Sequence, residues 1–158
     1  MTIPVAMILA AALNACGVGW DPVQVLPVEV RREVAGAKVI TPCRVSALPE
    51  GIRDHLAETI GEKKLVMADP DKAWNSSCLQ HEGVPSRQLV AAASSGSRWV
   101  VHYREGGETV SEWAIVLELE ARGVRTLWRG TCTERRRAAG SRRDALGKAT
   151  RDCTAVLP

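Results

Sequence analysis

Residues with reactive side chains are few in this chain, and one short motif stands out among them: Cys78-Leu79-Gln80-His81, a C-x-x-H spacing. This spacing occurs in zinc sites and could also place a thiol beside a base. A structural zinc site needs two more ligands, and the sequence has no second C-x-x-C, C-x-x-H or H-x-x-x-H motif. We therefore interpret Cys78 as a disulfide cysteine and His81 as an exposed loop residue, and we expect neither a metal nor another cofactor.

Catalytic motifs of other kinds are also missing from the sequence. The run 94–97 (Ser-Ser-Gly-Ser) lacks the G-x-S-x-G pattern of a hydrolase nucleophile, and no Gly-rich phosphate loop precedes a helix. An enzyme is left as an alternative only with a site assembled from distant residues, for instance Asp69, His81 and His102. The residues therefore favour a protein that does no chemistry.

Arginines near the C-terminus are the sharpest feature of the charge distribution. Between residues 121 and 151 there are ten Lys or Arg against two acids, a net charge of +8, so the rest of the chain carries −5. Guanidinium groups match phosphate and carboxylate bidentately. The anion-binding candidates are Arg135, Arg136, Arg137, Arg142 and Arg143. No aromatic residues are interleaved with them to stack bases, so we do not expect nucleic acid as a partner. The alternative is a solvated Arg-rich surface.

The N-terminus predicts export. Ile3–Leu13 is an uncharged apolar run of eleven residues, about half of the roughly 20 that span a bilayer, and it suits the hydrophobic region of a secretory signal. The following residues, 13–17 (Leu-Asn-Ala-Cys-Gly), resemble the lipobox of bacterial lipoproteins. This resemblance is confined to residues 1–17. It implies cleavage before Cys16, a diacyl lipid carrying palmitate on the sulfur of Cys16, and acylation of the new amine. Because Gly17, not Asp, follows, it also implies an outer-membrane anchor facing the periplasm. The alternatives are a signal cut near Ala12, which would give a soluble periplasmic or secreted protein, and a buried N-terminal strand or helix.

Cysteine arithmetic agrees with a lipidated N-terminus. The chain has five cysteines, at Cys16, Cys43, Cys78, Cys132 and Cys153. An odd number leaves one thiol over in an exported protein, and lipidation of Cys16 would remove it. The other four allow three pairings, of which we favour Cys43 with Cys78 and Cys132 with Cys153. Crossed pairings and four free thiols in a cytosolic protein are the alternatives.

Periodicity predicts an α+β fold: an antiparallel sheet of four or five strands, with one helix before it and one C-terminal helix. Pro49 can open the first helix, Ile52, Leu56 and Ile60 fall on one face, and Gly61 ends it. The predicted strands are Lys38–Val45, with Leu65–Met67 as a further candidate, and then a meander of Gln88–Ser94, Arg98–Arg104, Thr109–Glu120 and Val124–Cys132.

Alternation within the meander predicts which residues face the core. In the third run Trp113, Ile115, Leu117 and Leu119 fall on one face, and Glu112, Ala114, Val116, Glu118 and Glu120 fall on the other. In the second run Trp99, Val101 and Tyr103 share a face. The C-terminal helix is expected to begin at Ser141, with an apolar stripe of Ala145, Leu146, Ala149 and Cys153.

These expectations divide the chain into a signal peptide (1–15), a lipidated tether (16–33) and one α+β domain (34–158). The function they favour is that of a non-enzymatic envelope lipoprotein. It would be held to the membrane by its N-terminal lipid and would bind or support an envelope protein or an anionic envelope component. A secreted or periplasmic inhibitor or accessory factor of an enzyme is the first alternative, and a small periplasmic enzyme is the second.

Overall fold

The fold is an antiparallel sheet in which every strand lies beside its neighbour in sequence. It was determined as a computed structural model that describes residues 25–79, 81–134 and 151–155. The strand order is β1-β2-β3-β4-β5-β6. The strands are β1 (Lys38–Val39), β2 (Arg87–Ser95), β3 (Arg98–Glu105), β4 (Ser111–Glu120), β5 (Gly123–Glu134) and β6 (Arg151–Ala155). Two α-helices precede the long strands, α1 (Val28–Glu33) and α2 (Glu50–Thr59), with a 3₁₀ turn at Val45–Ala47.

The predicted meander is confirmed, because β2–β5 match the four expected runs to within two residues at each end. Short turns join them. Gly96, in the turn between β2 and β3, and Gly123, the first residue of β5, adopt positive φ angles of 60° and 149°. Positive φ costs glycine little because it has no Cβ. The local pairing of β2–β5 follows from these short connections.

Helix α2 also forms as the sequence predicts. Pro49 immediately precedes it, Ile52 and Leu56 are buried, and Gly61 follows it with a φ of 77°. These two side chains pack on one face of the sheet, which we call the α2 face, together with Val101 and Ile115. The α2 face holds most of the hydrophobic core.

The opposite face of the sheet, here the α1 face, is covered by the segment around α1. Leu26 and Val34 are buried there against Val100, Ala114 and Val116. The packed unit therefore includes the end of the segment expected to be a tether. The alternation in β4 is confirmed, but its α1 face is more buried than expected at Ala114 and Val116.

One predicted strand is shorter than expected, and another is wrong. Only the first two residues of Lys38–Val45 form a strand, since Pro42 has no N–H with which to continue a ladder. The run Leu65–Met67 forms no strand, and the residue after it, Ala68, makes an isolated parallel bridge to Gln88.

The predicted C-terminal helix is wrong at its end: Cys153 lies in β6, a strand that adds to the edge of the sheet beside β5. The earlier part of that helix, from Ser141, lies outside the described residues. Within the described ranges, no helix has the length and apolar character that crossing a membrane requires.

Candidate functional site

The cysteines expected to pair are found in two different situations. Cys132 on β5 and Cys153 on β6 are direct partners in the antiparallel ladder. Cys43 is buried, with its Sγ 3.8 Å from the carbonyl oxygen of Val90, whereas Cys78 lies exposed in the loop before β2. No disulfide joins Cys43 to Cys78 in the described part of the chain. The pairing of those two stays a prediction.

The residues considered for a catalytic site lie in three separate environments. The carboxylate of Asp69 accepts a hydrogen bond from the backbone N–H of Val45 at 2.7 Å. His81 is exposed in the loop before β2, whereas His102 is fully buried on the α1 face, 3.5 Å from Glu112. Within residues 25–79, 81–134 and 151–155, no group of three His, Cys, Asp or Glu could hold a metal ion.

Several predicted site residues lie outside the described residues. They are Cys16, Arg135, Arg136, Arg137, Arg142 and Arg143. The lipidation site and the anion-binding candidates therefore stay predictions.

A polar cluster that the sequence analysis did not identify lies on the α2 face, where the core gives way to mixed side chains. Tyr103 on β3 and Trp113 on β4 are direct partners in the ladder. Arg129 on β5 lies on the same face, opposite Ile115, which is two residues along from Trp113. We call Tyr103, Trp113 and Arg129 the Trp–Arg cluster.

Arg129 is brought to this face by a bulge in β5. The register shifts between Val116 and Leu117, so that Leu127 has no direct partner and Trp128 lies opposite Val116. An extra residue in one strand reverses the alternation of the residues beyond it. Trp128 therefore packs near the α1 face, and Arg129 takes a position on the α2 face.

Within the cluster the guanidinium of Arg129 stacks on the indole of Trp113, with its Cζ 4.4 Å from the ring centroid. A cation in this position is attracted by the negative face of the ring. The Nη2 group of Arg129 also donates a long hydrogen bond of 3.5 Å to the hydroxyl of Tyr103. Two further donors of the cluster, Nε of Arg129 and Nε1 of Trp113, are buried and find no acceptor in the part of the chain that the structure describes.

Beside the cluster, Arg87 on β2 forms ion pairs with two carboxylates, those of Glu62 and Glu105. Both terminal nitrogens of its guanidinium therefore pair with a carboxylate, and they link the loop after α2 to the end of β3. Both carboxylates are bound to Arg87, and among the described residues neither forms an ion pair with Arg129.

Tyr103 is almost completely buried, and burial raises the pKa of its phenol above the ordinary value of 10.0, an effect that the nearby charge of Arg129 partly opposes. The hydroxyl is thus protonated at neutral pH. It can accept from Arg129 while still offering its own hydrogen to a third group.

Comparison with protein-family models, curated proteins and solved structures returned no match.

Proposed function

We propose that this chain is an exported bacterial envelope lipoprotein, anchored through Cys16, whose folded domain binds an envelope partner and catalyses no reaction. The observation that carries the proposal is the direct pairing of Cys132 with Cys153 in the β5–β6 ladder. Direct partners in antiparallel strands have Cα atoms about 4.5–5.5 Å apart, within the range that a disulfide bridges. Disulfides persist in oxidising compartments such as the periplasm. A lipidated Cys16 would leave an even number of cysteines for such bonds.

Metabolic labelling tests the anchor. The full chain, made in a bacterium fed a clickable palmitate analogue, should take up label, and Cys16→Ser should abolish it. Cys78→Ser is the matched control, because it also removes one thiol and lies in an exposed loop. Label retained in Cys16→Ser, or a mature N-terminus elsewhere than at residue 16, would contradict the proposal.

The Arg-rich segment supplies the proposed contact with anionic envelope components. Binding of the full chain to vesicles containing phosphatidylglycerol should weaken as salt rises, since exposed charges are screened within about 8 Å at physiological ionic strength. Arg135–Arg137→Ser should reduce this binding more than Arg31→Ser with Arg32→Ser, which removes charge from α1 instead. If neither salt nor either set of substitutions changed the binding, the segment would be a solvated surface without a binding role.

An inhibitor or accessory factor of an enzyme is a second candidate function, favoured by the loop before β2. There Leu79 is 70% exposed, although its carbonyl oxygen is held by the side-chain amide of the buried Asn75. The side-chain oxygen of Asn75 also accepts from the backbone N–H of Ser77 at 3.1 Å, and the backbone N–H of Asn75 donates to the carbonyl oxygen of Pro85 at 2.8 Å. A preorganised loop loses little entropy when it binds.

A photo-crosslinking residue at position 79 tests this second function. It should capture one discrete envelope protein in living cells, and that protein should be an enzyme whose activity the purified chain changes. The same crosslinker at Val110, which is 49% exposed in the β3–β4 loop, is the control. Equal labelling at both positions would refute a docking role for the loop.

A further inference from the structure

Arg129 differs from the other arginines on strands β2–β5 in its charge partners. Each of the others forms an ion pair with at least one glutamate: Arg87, Arg98, Arg104 and Arg125. Arg129 forms no ion pair with any described residue; its contacts are the ring of Trp113 and the hydroxyl of Tyr103. A partly buried guanidinium in this position has charge and donors available for an anion.

The donors around Arg129 outnumber the acceptors. The N–H groups of Arg129 Nε and Trp113 Nε1 are both buried without an acceptor among the described residues. The hydroxyl of Tyr103 accepts from Arg129, and a hydroxyl that accepts can still donate its own hydrogen. Buried donors in folded proteins are nearly always hydrogen-bonded, so a cluster of donors without acceptors calls for an acceptor from elsewhere. Arginine recognises planar oxyanions with high geometric specificity.

The charge balance favours an anion with a single charge. Arg87 and Arg129 bring two positive charges, and Glu62 and Glu105 bring two negative ones, so the neighbourhood is neutral before a ligand arrives. A carboxylate adds one negative charge next to Arg129. A phosphate monoester would add roughly 1.5 to 2 negative charges at neutral pH and would meet more repulsion from the two glutamates. The aromatic wall of Trp113 suits the apolar carbon atoms that carry a carboxyl group.

We propose that the Trp–Arg cluster is a binding site for a carboxylate ligand, whose oxygens accept from Arg129 and Trp113 and from the hydroxyl of Tyr103. The inference rests on the proposed function only in that the carboxylate would belong to the envelope partner. The site itself lies in the folded domain and does not depend on lipidation. Failure of palmitate labelling and failure of carboxylate binding are therefore separate results.

Acetate titration of the ¹⁵N-labelled full chain tests the site, with chloride at equal ionic strength as the reference. The indole N–H signal of Trp113, assigned by its loss in Trp113→Phe, should move along a saturating curve together with the Nε–H signal of Arg129. Inorganic phosphate should bind more weakly than acetate. Shifts that chloride reproduces, shifts that never saturate, or tighter binding of phosphate would each overturn the assignment.

Variants separate the site from general electrostatics. Arg129→Gln should abolish saturable acetate binding, whereas Arg125→Gln, a matched change on the same strand at a fully paired and exposed arginine, should leave it within twofold. Trp113→Phe keeps an aromatic ring but removes the indole N–H donor, so acetate should bind about tenfold more weakly, the equivalent of one hydrogen bond. If Arg129→Gln did not fold, Arg129→Lys would serve instead, because lysine keeps the positive charge but lacks the paired N–H donors of the guanidinium. Undiminished binding in Arg129→Lys and Trp113→Phe would overturn the proposal.

Discussion

A disulfide between Cys132 and Cys153 is the prediction on which the structure bears most directly. The two residues are direct partners on β5 and β6, and such partners have Cα atoms about 4.5–5.5 Å apart, a separation that a disulfide can bridge. Cys153 was expected in the stripe of a C-terminal helix, but it lies in strand β6. This strand pairing supports the bond, since β6 lies beside β5 with the two cysteines in register.

The magnitude follows from the length of chain that the bond would close. Twenty residues separate Cys132 from Cys153, and a loop of this length predicts a stabilisation of about 3 kcal/mol from the entropy removed from the unfolded chain. Domains of this size are stable by only about 5–15 kcal/mol, so the bond would supply a large share. Cys132→Ala or Cys153→Ala should each lower the free energy of unfolding by about this amount.

Urea unfolding of the oxidised full chain measures the change, and the double variant is the decisive control. Because both single changes break one bond, Cys132→Ala with Cys153→Ala should cost no more than either change alone. Cys78→Ala tests the second predicted bond separately. Additive costs of the two single variants would refute the reasoning. So would non-reducing peptide mapping that links Cys43 or Cys78 to the C-terminal strand.

Three further predictions concern the core, a close backbone approach and the one tyrosine. Leu56→Ala should lower the free energy of unfolding in urea by about 2–5 kcal/mol, because the side chain of Leu56 is 1% exposed. Leu79→Ala, in an exposed loop, should lower it by less than about 0.5 kcal/mol. Equal losses would contradict the packing of α2 on the sheet. Gly106→Ala should lower the thermal midpoint of unfolding, because a Cβ there would collide with the backbone carbonyl of Asn75 in the loop before β2. Gly107→Ala would make only ordinary contacts and should be tolerated. A larger loss for Gly107→Ala than for Gly106→Ala would contradict this close approach. Since the chain has one tyrosine, absorbance at 295 nm follows Tyr103 alone: its pKa should lie above 10.0 in the folded protein and return to its ordinary value in urea. Stability should therefore fall as the pH rises from the unfolded toward the folded pKa, and Tyr103→Phe should remove that loss; a native midpoint at or below the unfolded one would show that the phenol is not desolvated.

Local patterns predicted the elements whose residues meet neighbours close in sequence. The alternation around Trp113 and Ile115 identified the core face of β4, and the spacing of Ile52 and Leu56 identified the buried side of α2. In both cases the period of the backbone alone decides which side chains share a face. Gly61 likewise ends its helix for a local reason, the positive φ that follows the last turn.

Tertiary pairing decided the elements that the patterns missed. Strict alternation from Val124 would place Trp128 on the core face, but the bulge at Leu127 exchanges it for Arg129. The local sequence does not predict that exchange, because the bulge is set by the register between β5 and β4. Similarly, Cys153 sits in a stripe with helical spacing, yet the free edge of β5 offers backbone hydrogen bonds that a strand can complete.

β5 links the proposed disulfide to the proposed carboxylate site. β6 pairs with residues 130–134, so its ladder begins immediately after Arg129. A bond between Cys132 and Cys153 would hold that segment between two strands and fix the backbone from which the Arg129 side chain reaches Trp113. If Cys153→Ala weakened acetate binding as well as stability, the edge strand would be part of what preorganises the site. If binding stayed the same, the ladder between β4 and β5 would suffice to place the guanidinium.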